Sequence, residues 1–513
     1  MTLTYITTPI YYVNDRPHIG HAYTSIAADV LARWKRLAGN EVFFLTGTDE
    51  HGQKVEKAAR DAGEDPQSFT DRVSAHFREL AARLELSNDG FIRTTEPRHK
   101  HACQVLWQRL AERGEIYLGH YEGWYAVRDE AFYGPDELTE RDGVKYAPSG
   151  APVEWVREPS YFFRLSRWQN ELLRRYDLPP GHPERIDIGP ESRRNEVKAF
   201  VRSGLQDLSV SRTSFRWGVP VPGDPDHVMY VWLDALTNYI TAAGYPDEAA
   251  PRWRFWPADV HFVGKDIVRF HAIYWPAFLM AAGIAPPKRV FAHGWWTIEG
   301  QKMSKSLGNA IDPHALIDEF GLDPLRYFLL REVPFGNDGD FSRRALVGRL
   351  NSELANDLGN LAQRTLSLIQ RNLDGVLPAV QPATPADGAL LRPADALVTE
   401  VGALLDAQAF HEALERVWAV VRAANAWIAE QQPWALKKTD PARMADVLRT
   451  LHTVLRTLAT VLQPFMPGTM ARMLDQLGVP PAERDLASLH RLLPAGTRLP
   501  PPEPLFRKIE ETA

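Results

Sequence analysis

The first sixty residues alternate between short apolar runs and a longer helical pattern. LTYITTPIYYV is rich in β-branched and aromatic residues and predicts a strand. Pro17 then opens a predicted helix, closed by Gly39, whose apolar positions recur three and four residues apart: Ile26, Val30, Leu31, Trp34 and Leu37. EVFFLTGTDEHG predicts a second strand, and another helix is expected from about Val55. Strand, helix, strand indicates a βαβ unit, in which ligands bind beyond the carboxyl ends of the parallel strands.

The middle of the chain interrupts this alternation and then restores it. Between about residues 115 and 228, turn sequences such as YGPDEL, RDGVKY and APSGAPVEW separate short strand candidates, which indicates an inserted module. VMYVWLDALTNYITAA and DVHFVGKDIVRFHAIYWPAFLMAAG are each an apolar strand followed by a helical pattern. These two segments predict the second half of the interrupted parallel sheet.

The pattern becomes helical after Phe341. LNSELANDLGNLAQRTLSLIQ, LVTEVGALLDAQAFHEALERVWAVVRAANAWIAEQ and ADVLRTLHTVLRTLATVLQPFM all place apolar residues three and four apart, which predicts a helical bundle. VLPAVQPATPADGALLRPADA, at 376–396, is expected to be a proline-rich connector between helices. The tail RLPPPEPLFRKIEETA is too proline-rich for another helix.

Composition limits the class of protein. A chain of 513 residues exceeds one ordinary core, so about two to four domains are expected. Hydrophobic residues at 44% and charged residues at 24%, without an apolar run of membrane-spanning length, predict a soluble globular protein. The start lacks the features of a secretory signal, and Cys103 is the only cysteine, so thiolate clusters are excluded and a cytoplasmic location is expected. The net charge of −6 allows a local basic path for nucleic acid.

His18 and His21 are candidate phosphate ligands at the mouth of the first predicted helix. Their imidazoles would stand next to free backbone N–H groups and the positive end of the helix dipole. Gly20, between them, would let a ligand approach the backbone. Either histidine alone is more often an ordinary capping or packing residue. The two together, directly after a strand, favour a phosphate site.

GWWTIEGQKMSKSLGN supplies a second candidate phosphate site. It places Lys302 and Lys305 in a polar loop with Ser304 and Ser306. Two flexible ammonium groups can neutralise a polyphosphate whose charge grows during displacement at the α-phosphate. Such a run alone is as often a solvated basic turn. The two segments in this order, separated by the second half of a parallel sheet, are far more specific than either one.

This arrangement resembles the class I aminoacyl-tRNA synthetases, whose HxGH and KMSKS elements correspond to residues 18–21 and 302–306. TTPIYYVNDRPHIGHAYTSIAADVLARW, FLTGTDEHG, YVWLDAL, GKDIVRFHAIYWPA and AHGWWTIEGQKMSKS further resemble methionyl-tRNA synthetases, over essentially the whole chain. The resemblance implies ATP-dependent activation of L-methionine to methionyl-adenylate. It also implies transfer to the 3′ end of initiator and elongator tRNA(Met), with Mg²⁺ on the phosphates.

The resemblance also implies site residues. The catalytic residues would be His18, His21, Lys302 and Lys305, and ATP would also contact Gly20, Gly264, Asp266 and Ser304. Methionine would be bound by Ile10, Tyr12, Asp49, Trp232, Ala235, Leu236, Tyr239 and His271, with Asp49 on its ammonium group. The anticodon would be read by Asn360, Arg364 and Trp434. Aromatic rings suit a thioether. Taken alone, the aromatics of YVWLDALTNYI are those of an ordinary core, and a tryptophan after a proline is usually packing.

The implied fold class is α/β. A Rossmann-like parallel-sheet catalytic domain would be interrupted by an inserted connective module and followed by an all-α helical-bundle anticodon-binding domain. The first half of the catalytic domain is expected at 1–114, the inserted connective and acceptor-stem module at 115–228, and the second half at 229–292. The KMSKS loop and stem-contact region is expected at 293–345, and the bundle with its tail at 346–513.

The inserted region departs from the family pattern. Many methionyl-tRNA synthetases carry zinc knuckles of paired cysteines there. This chain has Ala126, Asp129, Tyr146 and Ser149 about where ligands would be expected. A closed zinc site needs about four N or S ligands, so no structural zinc and no metal site are expected. The knuckle outline would be kept by packing around Trp124, Tyr125 and Phe132. A monomer with no obligate protein partner and no membrane contact is also expected.

Three alternatives fit parts of the pattern. A cysteinyl synthetase would need thiolate zinc ligands, and the valyl, isoleucyl and leucyl enzymes resemble longer chains with an editing insertion. A small-molecule nucleotidyltransferase sharing HxGH would lack KMSKS and would have no use for the helical carboxyl half. A non-catalytic tRNA-binding relative would be expected to have lost one of the two motifs, whereas both are intact here.

Overall fold

The structure, a computed structural model, describes residues 2–13, 16–129, 131–298, 301–302 and 311–510. The chain divides into two compact units. The sheet unit comprises Leu3–Pro17 and Val42–His293, and the helical unit comprises the first two residues, His18–Glu41 and Gly294–Ala513. Among the described residues, every helix is too short or too polar to cross a bilayer.

The strands follow in chain order. They are β1 (Leu3–Tyr12), β2 (Glu41–Asp49), β3 (Gly90–Arg93), β4 (Ile116–Ala126), β5 (Ala131–Tyr133), β6 (Thr139–Arg141), β7 (Val144–Tyr146), β8 (Glu154–Phe163), β9 (Asp187–Gly189), β10 (Leu208–Ser209), β11 (Ser211–Arg212), β12 (Pro220–Val221), β13 (Asp224–Met229), β14 (Val260–Gly264), β15 (Arg289–His293), β16 (Trp296–Ile298), β17 (Gln301–Lys302) and β18 (Gly339–Phe341).

The α-helices are α1 (Ile19–Leu37), α2 (Gln53–Asp61), α3 (Pro66–Arg83), α4 (Pro97–Glu112), α5 (Gln169–Asp177), α6 (Glu191–Arg202), α7 (Val231–Ala243), α8 (Trp275–Ala281), α9 (Pro313–Phe320), α10 (Leu322–Arg331), α11 (Arg343–Arg349), α12 (Asn360–Asn372), α13 (Pro385–Asp406), α14 (Phe410–Gln431), α15 (Pro433–Thr439), α16 (Pro441–Leu462) and α17 (Pro467–Gln476). Two segments, Phe270–Tyr274 and Leu350–Gly359, are π-helical.

A six-stranded sheet organises the sheet unit. Its order is β3-β2-β1-β14-β15-β9, and β14 pairs in parallel with both β1 and β15. β1 is buried along most of its length, as a central strand of a parallel sheet must be. The direction of the strand order reverses between β1 and β14, which is where open α/β sheets bind ligands. The predicted α/β class with a Rossmann-like sheet is confirmed.

The inserted region is built of antiparallel strands. β4 and β8 pair along most of their length, and β5 and β10 complete their sheet. β13 pairs antiparallel with β11 and β12, so the prediction that VMY forms a strand of the parallel sheet is wrong. A short apolar run does not reveal its pairing partner. β9 also falls within residues 115–228, yet it pairs in parallel with β15.

Helices dominate the helical unit, as predicted. The expected connector at 376–396 is wrong over its second half, because α13 begins at Pro385. Thr384 is the N-cap: its hydroxyl accepts from the N–H of Asp387, and the Asp387 carboxylate accepts from the N–H of Thr384. Proline is well tolerated at the first helical position, because the N–H that it lacks would have no intrahelical acceptor there. The proline that predicts a connector therefore starts the helix.

Candidate active site

His18 and His21 cap the N-terminus of α1. Nδ1 of His18 accepts from the backbone N–H of Gly20 at 3.1 Å, and Nδ1 of His21 accepts from the N–H of His18 at 3.0 Å. The ring centroids are 4.0 Å apart. Because Nδ1 of each neutral ring is an acceptor, the proton is on Nε2. Two Nε2–H donors side by side are suited to binding phosphate oxygens.

The backbone at this helix end is already paired, which corrects the expectation of free N–H groups. The N–H groups of residues 19–22 are all bonded: Ile19 donates to the carbonyl oxygen of Ile311 at 3.2 Å, and the other three donate to His18. The first-turn N–H groups of a helix are those that could otherwise bind an anion. Phosphate binding here would therefore come from the imidazoles rather than from the helix backbone.

Gly20 makes room for the capping imidazole. A Cβ at this position would lie 2.9 Å from Cε1 of His18, closer than Cβ atoms approach other carbon atoms. The sequence suggests that glycine lets a ligand approach the backbone. The structure gives a different reason, because the His18 ring occupies that space.

The second predicted phosphate site lies mostly outside the described residues. The backbone of Lys302 ends β17 and pairs with Thr297 of β16. β16 in turn pairs in parallel with β18. The side chain of Lys302, and Ser304 and Lys305 altogether, fall outside the described residues. Their roles stay predictions.

Three predicted ligand residues lie at the carboxyl ends of neighbouring strands. Tyr12 ends β1, Asp49 ends β2 and Gly264 ends β14. This edge of the sheet is where its strand order reverses. Asp49 is only 7% exposed. A buried carboxylate at this edge can form a charge-assisted hydrogen bond with an ammonium group.

Tyr239 and His271 form a buried pair. The Tyr239 hydroxyl lies 2.8 Å from Nε2 of His271, whose Nδ1 lies 3.0 Å from the carbonyl oxygen of Ile267. Only an N–H can bond to a carbonyl oxygen, so Nδ1 carries the proton and Nε2 accepts from the phenol. Burial lowers the pKa of His271 to about 4, so the ring is neutral at pH 7.

One further predicted methionine residue, Trp232, contacts His271 of this pair. Trp232 stacks on Phe270 with centroids 3.8 Å apart and meets His271 edge-on. Five of the eight predicted methionine residues belong to or pack against one hydrophobic cluster: Ile10, Tyr12, Trp232, Leu236 and Tyr239. Ala235 is buried on α7. Burial raises the pKa of Tyr239, and the charge of Asp49 adds to that effect. An apolar aromatic surface and a carboxylate therefore lie close together.

Gly264 and Asp266 are in contact at the end of β14. A Cβ at position 264 would lie 2.5 Å from Oδ1 of Asp266. Glycine therefore lets the carboxylate fold back against the strand end. While burial lowers the pKa of His271, the charge of Asp266 opposes that shift. Asp266 thus lies within electrostatic reach of the residues predicted to bind methionine.

Arg364 and Trp434 meet on the surface of the helical unit. The guanidinium carbon of Arg364, on α12, lies 5.5 Å from the centroid of the Trp434 ring, on α15. Trp434 is 45% exposed, and Asn360 is exposed at the start of α12. Lys437 and Lys438 add positive charge to α15. An exposed indole beside edge donors suits single-stranded bases.

Hydrogen bonds and rings occupy the region where zinc ligands would be expected. The Asp129 carboxylate accepts from the Ser149 hydroxyl and, at 2.9 Å, from the Tyr133 hydroxyl. Tyr125 and Phe132 lie 4.7 Å apart between centroids. At the other two predicted positions, Ala126 is buried and Tyr146 ends β7. This donor set lacks the thiolates and imidazoles of a structural zinc site.

One group of potential metal donors is buried in the sheet unit. Nε2 of His99, Sγ of Cys103 and a carboxylate oxygen of Asp234 lie within 4.8 Å of one another. Asp234 Oδ1 is 2.7 Å from Nε2 of His99, which is a hydrogen-bond distance. The contacts are those of a hydrogen-bonded cluster rather than of a coordination sphere.

Two family models together span nearly the whole chain. The family described as "tRNA synthetases class I (M)" matches residues 4–366, and the "Anticodon binding domain of methionyl tRNA ligase" matches residues 377–513. The chain belongs to the methionyl-tRNA synthetase family. The predicted family is therefore confirmed.

Relatives and solved structures agree with this assignment. The methionine–tRNA ligase of Mesorhizobium japonicum is 56% identical over 510 residues, which cover 99% of this chain and 98% of that protein. That of Rickettsia conorii is 57% identical over 511 residues, 99% of each chain. The Mycobacterium tuberculosis methionyl-tRNA synthetase in complex with methionyl-adenylate superposes with a TM-score of 0.95 at 50% identity, covering 99% of this chain and 100% of that one.

Several buried polar residues beside Asp49 were not predicted from the sequence. Glu50 follows Asp49 directly, is fully buried and pairs with Arg93 at 2.7 Å. His51 comes next and contacts Asp234. Two features of the sequence could have indicated them. TDEH places two further ionisable residues after Asp49 at the end of an apolar strand, and Asp234 is an acidic residue inside the apolar helix LDALTNYI.

Proposed function

We propose that the chain is a methionine–tRNA ligase that works in two steps. A carboxylate oxygen of L-methionine attacks the α-phosphorus of ATP, the bond to pyrophosphate breaks, and methionyl-adenylate forms. A terminal ribose hydroxyl of tRNA then attacks the methionyl carbonyl carbon, its proton is lost, and AMP leaves. Catalysis comes from positioning and charge stabilisation rather than from a covalent enzyme nucleophile.

Whole-chain likeness carries this proposal. A methionyl-tRNA synthetase holding methionyl-adenylate has a TM-score of 0.95 against this structure at 50% identity. That likeness extends over 99% of this chain and 100% of the other.

The chemistry of the sheet unit supports methionine as the amino acid. Asp49 would pair with the substrate ammonium, and Trp232, Tyr239 and the other predicted residues would surround the side chain. Sulfur contacts with aromatic edges contribute roughly 0.3–1.5 kcal/mol each, which suits a thioether. Neutral His271 keeps this surface uncharged, as an uncharged substrate side chain requires.

The phosphates of ATP would be bound by cationic and imidazole donors. His18 and His21 would donate from Nε2, and Lys302 and Lys305 would supply ammonium groups as charge develops on the leaving pyrophosphate. Imidazole and ammonium groups are not the oxygen ligands that Mg²⁺ prefers, so Mg²⁺ would be held mainly by the phosphates. The remaining predicted ATP contacts are Gly20, Gly264, Asp266 and Ser304.

Recognition of tRNA would use the helical unit. Trp434 would stack on an anticodon base while Asn360 and Arg364 bind base edges. Initiator and elongator tRNA(Met) would both be substrates because they share the methionine anticodon. The module at 115–228 would contact the acceptor stem without a structural zinc ion. The protein would act in the cytoplasm as a monomer without an obligate protein partner.

Aminoacylation of tRNA transcripts tests this function. We expect radiolabelled methionine to be attached to initiator and elongator tRNA(Met), with Mg²⁺ present and a zinc-selective chelator added. A matched transcript with a changed anticodon is expected to lose at least about fivefold in kcat/KM, because each lost base-edge contact is worth about 1–3 kcal/mol. Charging with a different amino acid, or no charging by folded protein, would refute the proposal.

A further inference from the structure

Methionine recognition, as proposed above, needs two parts at a fixed spacing. Asp49 at the end of β2 would bind the ammonium group, and α7 would supply much of the side-chain pocket. The following inference rests on that proposed function. It concerns what holds α7 relative to Asp49, since both belong to the sheet unit.

Asp234 connects these two parts. It lies on α7 and is fully buried, and both of its oxygens are engaged. Oδ2 is 2.6 Å from Nδ1 of His51, and Oδ1 is 2.7 Å from Nε2 of His99. Burial alone raises the pKa of a carboxyl, but the two histidines outweigh it and hold the pKa of Asp234 below its usual range. The carboxylate is therefore ionised and accepts from both rings.

His51 transmits this contact to Asp49, because only Glu50 separates them. Glu50 is itself fixed: its carboxylate pairs with Arg93 at 2.7 and 3.0 Å and accepts from the Thr95 hydroxyl. Its carbonyl oxygen accepts from the Trp217 indole N–H. The segment from 49 to 51 is thus held on both sides, and His51 leaves it toward α7.

The opposite side of α7 faces the predicted pocket. Trp232, Ala235, Leu236 and Tyr239 recur three and four residues apart and share one helix face. Asp234 and Thr241, seven residues apart, share another face, where both contact His99 of α4. Fixing Asp234 therefore sets the translation and rotation of the face that would contact the methionine side chain.

We propose that Asp234 is a positioning residue for methionine activation, which holds α7 at a set distance from Asp49 through His51 and His99. Asp234 does not touch the substrate. Its removal would displace the side-chain pocket from the ammonium-binding carboxylate. The predicted phosphate ligands belong to the helical unit, and the substitution would not alter them.

Asp234→Asn is the direct test. The amide is uncharged, so both charge-assisted contacts are weakened even where a ring changes tautomer to accept from the NH₂ group. In methionine-dependent ATP–pyrophosphate exchange, we expect KM for methionine to rise about tenfold or more, because a hydrogen bond to a charged group contributes more than one to a neutral group. We expect KM for ATP to change by less than about twofold. Exchange by the wild-type protein tests the proposed function separately.

A pair of His51 variants keeps the test valid if Asp234→Asn does not fold. His51→Asn keeps a side-chain N–H donor near the position of Nδ1 and is expected to retain a near wild-type KM for methionine. His51→Leu removes that donor and is expected to raise it. Leu110→Ala is the matched packing control, because Leu110 is fully buried on the same helix as His99 but lies eleven residues from it. It is expected to lower thermal stability without changing either KM.

The result that would overturn the proposal is a change in stability alone. If Asp234→Asn melts at a lower temperature but keeps the wild-type KM for methionine, or if both KM values rise together, Asp234 is only a structural residue. Equal KM values for His51→Asn and His51→Leu would overturn it as well.

Discussion

The hydroxyl oxygen of Tyr239 lies 2.8 Å from Nε2 of His271, and both side chains are buried. Tyr239→Phe removes the phenolic O–H, so Nε2 of His271 loses its hydrogen-bond donor. We expect KM for methionine to rise by up to about tenfold, since a hydrogen bond contributes about 0.5–1.5 kcal/mol net. ATP–pyrophosphate exchange at varied methionine measures this. Tyr117→Phe, which breaks a bond to Asp207 elsewhere in the sheet unit, is the control. An unchanged KM for methionine in Tyr239→Phe would contradict the placement of Tyr239 in the methionine pocket.

The neutral state of His271 predicts how stability depends on pH. Its folded pKa is about 4, below the ordinary 6.5. As pH falls from 6.5 to 4, this histidine binds a proton in the unfolded chain but not in the native protein. The free energy of unfolding therefore decreases as pH falls, by about 3 kcal/mol over the whole range. We expect the melting temperature of His271→Gln to fall less between pH 7 and 4.5 than that of the wild type. Parallel curves would contradict this.

The imidazole cap of α1 permits a variant that separates capping from phosphate binding. Asn at position 18 can still accept from the Gly20 N–H but lacks the Nε2–H donor of His18. We expect His18→Asn to lower kcat for pyrophosphate exchange about a hundredfold or more, as removal of a transition-state donor does elsewhere, with little change in melting temperature. His18→Ala should lower both. If His18→Asn keeps wild-type kcat, its imidazole does not stabilise the phosphates.

The exposed Trp434 predicts an effect confined to tRNA. Trp434→Ala is expected to raise KM for tRNA about 5- to 100-fold, because stacking of one base contributes about 1–3 kcal/mol. Exchange without tRNA should be unchanged. Trp434→Phe keeps an aromatic face and should retain most of the affinity. Equal loss in both activities would indicate that Trp434 is a packing residue.

Asp29 and Arg326 form an ion pair at 2.7 Å in which both side chains are fully buried. It joins α1, which carries the histidine cap, to α10. We expect Asp29→Ala to lower the free energy of unfolding by about 3–5 kcal/mol, because it leaves a buried guanidinium without its carboxylate. The double variant Asp29→Ala/Arg326→Met should recover part of that loss. Denaturant unfolding followed by circular dichroism measures both, and an equal loss in the double variant would contradict the explanation.

Elements with strong local patterns could be predicted from the sequence. β1, α1 and β2 follow their apolar spacing, although α1 begins at Ile19 with His18 as its cap rather than at Pro17. β9 was not predictable, because three residues at a sheet edge carry no periodicity. The helix at Pro385 was missed because proline favours both a connector and a first helical turn.

The site could be predicted only where its residues lie in short motifs. His18 and His21 are three residues apart, so their pairing is local. The contact between His51 and Asp234 joins residues 183 positions apart, and no local pattern specifies it. The bonding of the first N–H group of α1, that of Ile19, depends in the same way on the distant Ile311. Contacts between distant residues require the fold before they can be recognised.

The most direct test of the central claim is ATP–pyrophosphate exchange with each of the twenty amino acids, without tRNA, with Mg²⁺ present and a zinc-selective chelator added. We predict exchange with methionine alone, at a rate that the chelator does not change. Exchange with no amino acid by folded protein, or with another amino acid in preference to methionine, would contradict the account.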